Sequence, residues 1–288
     1  MSTIKDNKCL ISIVLCCRMK GNVNSSLDFF LKSLEHYAYN CDNFEVLIRF
    51  DDDDTNFQKY IKDFDHYPFA VKYCVGKRNG GYSDLHRGYW EAFQLASPTS
   101  IVVGAMADDF EIMADQWDTK ILECCEKYPD NIFILHNRPH PRQLGYYTKG
   151  KGESEFKSSI LPRTTPLCED NEFFLDWNVK DLENLYIVDE FPLWSRKIIN
   201  LTQGFGPVSF TDAWTLTLQH RLWHHHQINR TVFIKNRIAY RKTNPNIDSI
   251  DHERWESVRA PNFRYIRSNE YETLINHQAQ LIAKEVEQ

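Results

Sequence analysis

The residues best suited to chemistry are two groups of carboxylates, each directly after an apolar run. "EVLIRF" runs into residues 51–54 (DDDD), and "IVVGAMA" runs into Asp108 and Asp109. Grouped carboxylates repel one another unless a positive charge lies among them. Mg²⁺ or Mn²⁺ would supply that charge, commonly held by one or two carboxylates together with phosphates. The alternative is that the acids cap helices or face solvent, and it is strongest for Asp53 and Asp54.

An alternation of strands and helices must position these acids. Continuous apolar runs predict buried strands at residues 10–16, 45–50, 70–75, 101–105 and 132–136. Amphipathic stripes predict helices at residues 25–38, 83–96 and 117–128. This order is typical of a largely parallel α/β sheet, in which ligands bind beyond the carboxyl ends of the strands. Both acidic groups stand at such ends.

After His136 the sequence shows little hydrophobic periodicity. Residues 139–184 are rich in Pro, Gly, Lys, Ser and Thr, and we expect a long irregular loop there. Its basic part, residues 139–166, is either a segment that closes over a ligand or a plain surface loop. Further on, we expect order at 185–188 and 194–201, a helix at 212–223, a strand pair across 231–240 and a final helix at 270–285.

Composition restricts the possible functions. The net charge of −6 gives no sign of a general basic surface for binding nucleic acid. The first apolar run is only about eight residues long, so it predicts a strand and not a signal peptide, and no run approaches the roughly 20 apolar residues of a membrane span. The eight cysteines form no CxxC motif, so we expect thiols in a reducing compartment. These features predict a cytoplasmic protein without a transmembrane segment.

Four segments resemble the family 2 glycosyltransferases, which have the GT-A fold. "EVLIRFDDDDTN" resembles the family's second strand, with Asp51 and Asp52 where the family contacts the base and ribose. "KRNGGYSDLHRGYWEAF" resembles the segment that opens the next helix, and "IVVGAMADDF" resembles the strand with the Asp-x-Asp metal motif. "GFGPVSFTDAWTLTLQHRL" resembles the region where Gly-Phe precedes a Glu-Asp pair at a helix start. The likeness is good over roughly 9–135 and loose over 186–245.

The resemblance implies a fold and a domain organisation. A GT-A-like, mostly parallel central sheet flanked by helices would occupy residues 1–245, with a nucleotide-binding half at 9–135 and an acceptor half at 136–245. Residues 246–288 would form a C-terminal helical extension. The implied partners are a nucleotide-sugar donor and a glycan or lipid-linked acceptor.

The resemblance also implies a metal site with one substitution. Met106 stands at the first position of the metal motif, and Asp108 stands at the second, which contacts the cation. Asp109 follows as an additional acid, and the resemblance implies that it contacts the nucleotide sugar. The implied cofactor is Mn²⁺ or Mg²⁺. Thr211 replaces the glutamate of the Glu-Asp pair, whereas Asp212 matches its aspartate.

Sugar transfer from a nucleoside diphosphate must neutralise the leaving diphosphate and deprotonate the acceptor hydroxyl. Arg18, Arg78 and Arg87 are candidates for the first task, although His86 could equally stand where the family has its arginine. Asp212 is the candidate general base, because a helix start keeps a carboxylate ionised; the alternative is a plain helix cap. Inversion at the anomeric carbon is implied by the family alone.

Two other functions remain open. A nucleotidyltransferase would share the strand-end acids and the metal but should have a glycine-rich loop after the first strand, where "RMKGNVNSS" has one glycine. A non-catalytic relative could bind nucleotide sugars after losing its metal with the change to Met106. Separately, His220 and His224 share a helix face and could bind zinc, or His224 to His226 could complement the helix dipole.

Overall fold

The computed structural model describes residues 9–18, 26–78, 84–108, 110–137, 146–149, 154–157, 185–186, 192–207, 211–234, 238–241 and 264–287. The strands are β1 (Ile11–Cys17), β2 (Phe44–Asp51), β3 (Ala70–Gly76), β4 (Val102–Met106), β5 (Phe110–Ile112), β6 (Ile134–His136), β7 (Tyr146–Lys149), β8 (Ser154–Lys157), β9 (Leu185–Tyr186), β10 (Pro192–Ser195), β11 (Thr231–Phe233) and β12 (Ala239–Arg241). The helices are α1 (Ser26–Tyr37), α2 (Leu85–Phe93), α3 (Trp117–Cys125), α4 (Arg196–Thr202), α5 (Thr211–His226) and α6 (Asn269–Val286). Short 3₁₀ helices cover Cys41–Asn43, Thr55–Lys59 and Ile61–His66.

A seven-stranded sheet forms the centre of the molecule, in the order β11-β6-β10-β4-β1-β2-β3. The pairs β1–β2, β2–β3, β1–β4 and β6–β11 are parallel, and β10 is antiparallel to both of its neighbours. The expected largely parallel α/β sheet is therefore confirmed. Because β1, β2 and β4 are parallel, their carboxyl ends lie at the same edge.

The sheet carries an apolar core on each face. Along β1, Ile13 and Leu15 face a first core that includes α1 and α3, whereas Val14 faces a second core with α2, α4, α5 and α6. Side chains of a strand alternate between faces, so a strand covered on both sides is apolar at most positions on either face. This explains why the sequence of β1 shows no polar alternation.

Helix α2 lies unusually close to the sheet. A Cβ atom at Gly88 would come within 2.6 Å of the Cys16 sulfur on β1. Only glycine permits this approach, and it brings the first turn of α2 beside the carboxyl end of β1. The Cys16 thiol donates to the carbonyl of Leu85, at a distance of 3.8 Å.

The last helix is integrated into the second core. Tyr271, Ile275 and Ile282 of α6 are buried. The Trp214 indole of α5 donates to Gln278 (3.0 Å), and the Gln278 amide donates to the Thr202 carbonyl of α4 (3.1 Å). These bonds fasten α4 and α5 to α6. The division into a domain at 1–245 and an extension at 246–288 stays a prediction.

The expected strand pair across 231–240 is wrong. Strand β11 pairs with β6 in the central sheet, whereas β12 pairs antiparallel with β5 in a separate two-stranded sheet. The reason is Asn137, which is fully buried after β6. Its side-chain oxygen accepts from the backbone of Ile238 (2.7 Å) and Ala239 (3.0 Å), and its amide donates to the Ala239 carbonyl (3.0 Å). These bonds hold β12 away from β11.

The expected irregular loop at 139–184 is also only partly right. Strands β7 and β8 pair antiparallel within it, and β9 completes a three-stranded sheet. These strands hold two to four residues of mixed polarity, which leave no periodic signal in the sequence. No helix in the described part of the chain is long and apolar enough to cross a membrane.

Candidate functional site

Three of the predicted site residues meet at the carboxyl ends of β1, β2 and β3. The register places Cys17 opposite Phe50 and Asp51 opposite Gly76, so the chain leaves all three strands at one level. Arg18 Nη1 donates to Asp51 Oδ2 at 2.9 Å, and Arg78 Nη1 lies 4.0 Å from the same oxygen. The sheet thereby brings one carboxylate between two guanidinium groups.

Asp53 completes this group, which we call the strand-tip cluster (Arg18, Asp51, Asp53 and Arg78). Arg18 makes two bonds to the Asp53 carboxylate, at 2.6 and 3.0 Å, and Arg78 lies 3.9 Å from it. The hydrogen bonds that Arg18 donates to Asp53 first, and then to Asp51, raise the pKa of Arg18 above its usual value although burial opposes them. Arg18 therefore stays charged.

The two acids for which a cap or a solvated position was the stronger alternative differ in their contacts. Asp53 faces solvent, with 46% of its side chain exposed, and it also pairs with Arg18. Asp54 does act as a cap: it is buried and accepts from the backbone of Asn56 at 3.1 Å, at the start of the 3₁₀ helix Thr55–Lys59. The charge that grouped acids require is supplied at residues 51–53 by arginines of the chain itself.

Asp52 is exposed and ties two loops together. Its carboxylate accepts from the Arg78 backbone at 3.1 Å, and its own N–H donates to the Gly76 carbonyl at 2.9 Å. The carboxylate thus fixes the backbone of Arg78 beside Asp51. Asp52 thus lies next to the cluster, and its contact with a nucleotide stays a prediction.

Arg87 is held along α2, away from the cluster. Its guanidinium bonds to Glu91 at 3.0 Å and lies 3.7 Å from Asp84. His86 precedes it, with a buried Nδ1 that makes no hydrogen bond within the described residues. Burial lowers the pKa of His86 below its ordinary value. Neither side chain contacts Asp51, so which one serves a phosphate stays a prediction.

The end of β4 carries the predicted metal residue at the same edge of the sheet. Strand β1 lies between β2 and β4. Since neighbouring strands are about 4.8 Å apart, the ends of β2 and β4 are about 10 Å apart. Asp108 is half-buried just beyond β4, whereas Asp109 lies outside the described residues. Asp51 and Asp108 therefore flank the end of β1.

Among the described residues at the end of β4, the Asp108 carboxylate is an oxygen donor of the kind that a divalent cation prefers. Met106 is 1% exposed and packs in the first core, so the first motif position supplies no ligand. No three His, Cys, Asp or Glu side chains in the described ranges are grouped so that they could hold a metal ion. Asp108 suits a cation whose remaining ligands come from phosphate oxygens and water, as is common for Mg²⁺.

A buried contact chain connects the end of β4 with the start of α5. The Tyr89 hydroxyl donates to the Met106 carbonyl at 3.4 Å, and the Tyr89 ring packs edge-on against Phe205 at 5.9 Å. Phe205 stands between Gly204 and Gly206, which both have positive φ. A Cβ atom at Gly206 would lie 2.6 Å from the Trp214 ring. This loop thus holds the first turn of α5.

Asp212 lies in that first turn and is half-buried. The helix dipole and the N–H groups of the first turn favour an ionised carboxylate at this position. The geometry is compatible with a general base and equally with a helix cap.

The histidines lie at the other end of α5. The rings of His220 and His224 are 4.2 Å apart, as expected for a shared helix face, and His224 to His226 occupy the last turn. Burial first, and then Arg221, lowers the pKa of His225. A metal role for this group stays a prediction.

Comparisons with known proteins identify the fold. No protein-family model and no curated protein sequence matches the chain. S. aureus TarS 1-349 in complex with UDP matches with a TM-score of 0.52 and 12% identity, over 82% of this chain and 61% of that one. The chain has a GT-A-like fold. A second structure of TarS 1-349 gives a TM-score of 0.52 and 12% identity, over 94% and 70% of the two chains.

A mannosyltransferase supports the same assignment. PcManGT from Pyrobaculum calidifontis, solved with GDP-Man and Mn²⁺, has a TM-score of 0.52 and 10% identity, over 96% of this chain and 72% of that one. This chain spans about three fifths of the TarS–UDP structure, at 61%. At these identities the likeness establishes the GT-A-like fold.

Sequence reasoning missed Arg49 and Glu91. Arg49, on β2, bonds to Asp51 and also to Glu91 of α2, at 3.2 Å. The signal was present, because a single arginine interrupts the apolar run "EVLIRF". A charge inside a fully buried strand needs a partner, which the sequence could not identify.

Proposed function

We propose that this chain is a glycosyltransferase that moves a sugar from a nucleoside diphosphate to a hydroxyl acceptor, with inversion and with a divalent cation. The observation that carries the proposal is the strand-tip cluster, together with Asp108 at the same edge of a GT-A-like sheet. In open α/β sheets, ligands bind beyond the carboxyl ends of the strands. The two sides of this edge are separated by a span that one nucleoside diphosphate can bridge.

The strand-tip cluster would bind the nucleoside. Asp51 has both carboxylate oxygens in ion pairs, with Arg18 and Arg49, yet each oxygen retains a lone pair for a further donor. A base or ribose can present such N–H or O–H groups. Arg18 and Arg78 would donate to acceptor atoms of the same ligand, and Asp52 and Asp109 would line the approach.

Asp108 would hold Mn²⁺ or Mg²⁺, with diphosphate oxygens completing the coordination. A bound cation at this place supplies charge neutralisation for the leaving diphosphate. Arg87 of α2 would assist this neutralisation, after its guanidinium exchanges its contact with Glu91 for one with a phosphate oxygen.

Asp212 would take the proton of the acceptor hydroxyl as the sugar is transferred. A positioned general base contributes on the order of 10²–10⁴ in rate. A single displacement by the acceptor inverts the anomeric carbon. The acceptor class we propose is a glycan or a lipid-linked precursor, and residues 136–245 would contain its binding region.

A panel of nucleotide sugars with Mn²⁺ tests the proposal through slow hydrolysis of the donor. We expect release of a nucleoside diphosphate from one or a few donors, and faster release when an acceptor is added. Release of pyrophosphate from a nucleoside triphosphate and a sugar phosphate would instead indicate a nucleotidyltransferase. Tight binding of a nucleoside diphosphate with an affinity that does not depend on Mn²⁺, and without turnover, would indicate a non-catalytic binding protein.

A further inference from the structure

Arg49 is the most buried arginine beside the candidate site, and its side chain branches to three different elements. Nη1 bonds to Asp51 at the end of β2, Nε bonds to Glu91 of α2 at 3.2 Å, and Nη2 donates to the Lys77 carbonyl after β3 at 2.7 Å. The Arg49 side chain is 10% exposed. One guanidinium group therefore joins the end of β2, the β3–α2 connection and α2 itself.

The surrounding backbone is built to admit this group. A Cβ atom at Gly76 would lie 2.3 Å from the Glu91 carboxylate and 2.7 Å from Arg49 Nε. In the strand register, Arg49 lies between Cys16 of β1 and Cys74 of β3. Small neighbours on both sides and a glycine at the end of β3 leave a slot that an arginine fills.

The charged side chains around Arg49 alternate in sign. Asp51 attracts Arg49, and Glu91 adds a hydrogen bond; together they raise the pKa of Arg49 although burial lowers it. Glu91 is shared with Arg87. Asp51 is in turn shared with Arg18. Arg49 is therefore the buried centre of an alternating chain of charges that ends in the more exposed groups facing the site.

We propose that Arg49 is a positioning residue, which holds the Asp51 carboxylate in place for the nucleoside of the donor. Arg18 bonds to the other carboxylate oxygen of Asp51 and is itself shared with the 46%-exposed Asp53, so it does not fix Asp51 alone. A planar guanidinium whose Nε and Nη2 are already bonded to other groups presents its Nη1 at a fixed place. This inference rests on the proposed function, because it assumes that Asp51 binds the nucleoside.

The test compares nucleotide affinity with stability in the full chain. Arg49→Met, Arg49→Lys and the double variant Arg49→Met/Glu91→Gln are titrated calorimetrically with UDP and with GDP, in Mn²⁺, and their thermal midpoints are measured. Arg230→Met is the matched control, since Arg230 pairs with Asp130 at 2.9 Å, is 18% exposed and lies over the Tyr128 ring, in another part of the fold.

We expect Arg49→Met to weaken binding about tenfold or more, as for a lost hydrogen bond to a charged group, and Arg230→Met to leave it within about twofold. Arg49→Lys should also bind weakly, because an ammonium group cannot reach three elements at once. In Arg49→Met the Glu91 carboxylate keeps Arg87 as a partner but loses Arg49 at its other oxygen. The double variant removes that carboxylate charge, so it should regain part of the thermal stability relative to Arg49→Met without regaining affinity.

Two results would overturn the positioning role. Wild-type affinity in either folded single variant would show that Asp51 needs no support from Arg49. Recovery of affinity together with stability in the double variant would show that Arg49 acts only on the fold. Failure of the wild-type protein to bind UDP, GDP or any other nucleoside diphosphate would contradict the proposed function itself, and the role of Arg49 with it.

Discussion

Replacing Asp51 by asparagine gives a sharp test of the strand-tip cluster. The substitution keeps the shape of the side chain but leaves one accepting oxygen where Asp51 has two, and it removes the negative charge between Arg18 and Arg49. Arg18 retains its two bonds to Asp53. Arg49 retains Glu91 alone as a charged partner.

The expected loss of stability follows from burial. The side chains of Asp51 and Arg49 are only 12% and 10% exposed, so water screens their interaction little. A hydrogen bond between charged groups contributes about 1.5–3 kcal/mol, and the neutral variant keeps part of it. We therefore expect Asp51→Asn to lower the free energy of unfolding by about 2 kcal/mol, which corresponds to a thermal midpoint about 3 °C lower in a chain of this size.

Equilibrium urea unfolding followed by circular dichroism, with a thermal melt in parallel, measures this effect. Asp52→Asn is the matched control, because Asp52 is the exposed neighbour and accepts a bond only from a backbone N–H, that of Arg78, among the described contacts. The control should change the free energy of unfolding by less than about 0.5 kcal/mol. Equal midpoints for the two variants would refute the buried ion pair between Asp51 and Arg49.

Three further predictions concern the rest of the site. Asp108→Asn should abolish hydrolysis of the donor, whereas Asp212→Asn should retain donor binding and lose transfer; full transfer by Asp212→Asn would exclude it as the base. Gly206→Ala should destabilise the protein by about 2–5 kcal/mol, since φ is +93° and the new methyl would lie 2.6 Å from the Trp214 ring, and an unchanged urea midpoint would contradict this. Burial lowers the pKa of His86 in the folded protein below its ordinary value of about 6.5, so the unfolded chain binds the proton first as the pH falls and the free energy of unfolding decreases below about pH 6.5. The variant His86→Gln should therefore lose less unfolding free energy than the wild type between pH 7.5 and 5.5. Equal losses in the two proteins would contradict the burial of this ring.

The parallel sheet could be predicted because its strands are covered on both faces. The run in β4 is apolar throughout and those in β1 and β2 are largely apolar, and the acids that follow β2 and β4 stand at the carboxyl edge of the sheet. The start of α5 beside Asp212 was also predictable within one residue, from its helix-start signals.

The rest depends on contacts that a sequence does not specify. The apolar stretch around Trp194 reads the same in either direction, so the antiparallel placement of β10 could not be anticipated. The pairing of Arg18 with Asp53 requires the register of β1 against β2. The role of Asn137 could not be predicted because its three hydrogen bonds are made to Ile238 and Ala239, at the start of β12 and about a hundred residues away in the chain.

The most direct measurement is a crystal structure of the chain with UDP or GDP and Mn²⁺. We expect the nucleoside at the ends of β1 and β2, with a base or ribose atom within hydrogen-bond distance of Asp51, and the diphosphate extending across β1 toward Asp108. A nucleotide bound at another surface, or a diphosphate directed away from the end of β4, would contradict this expectation.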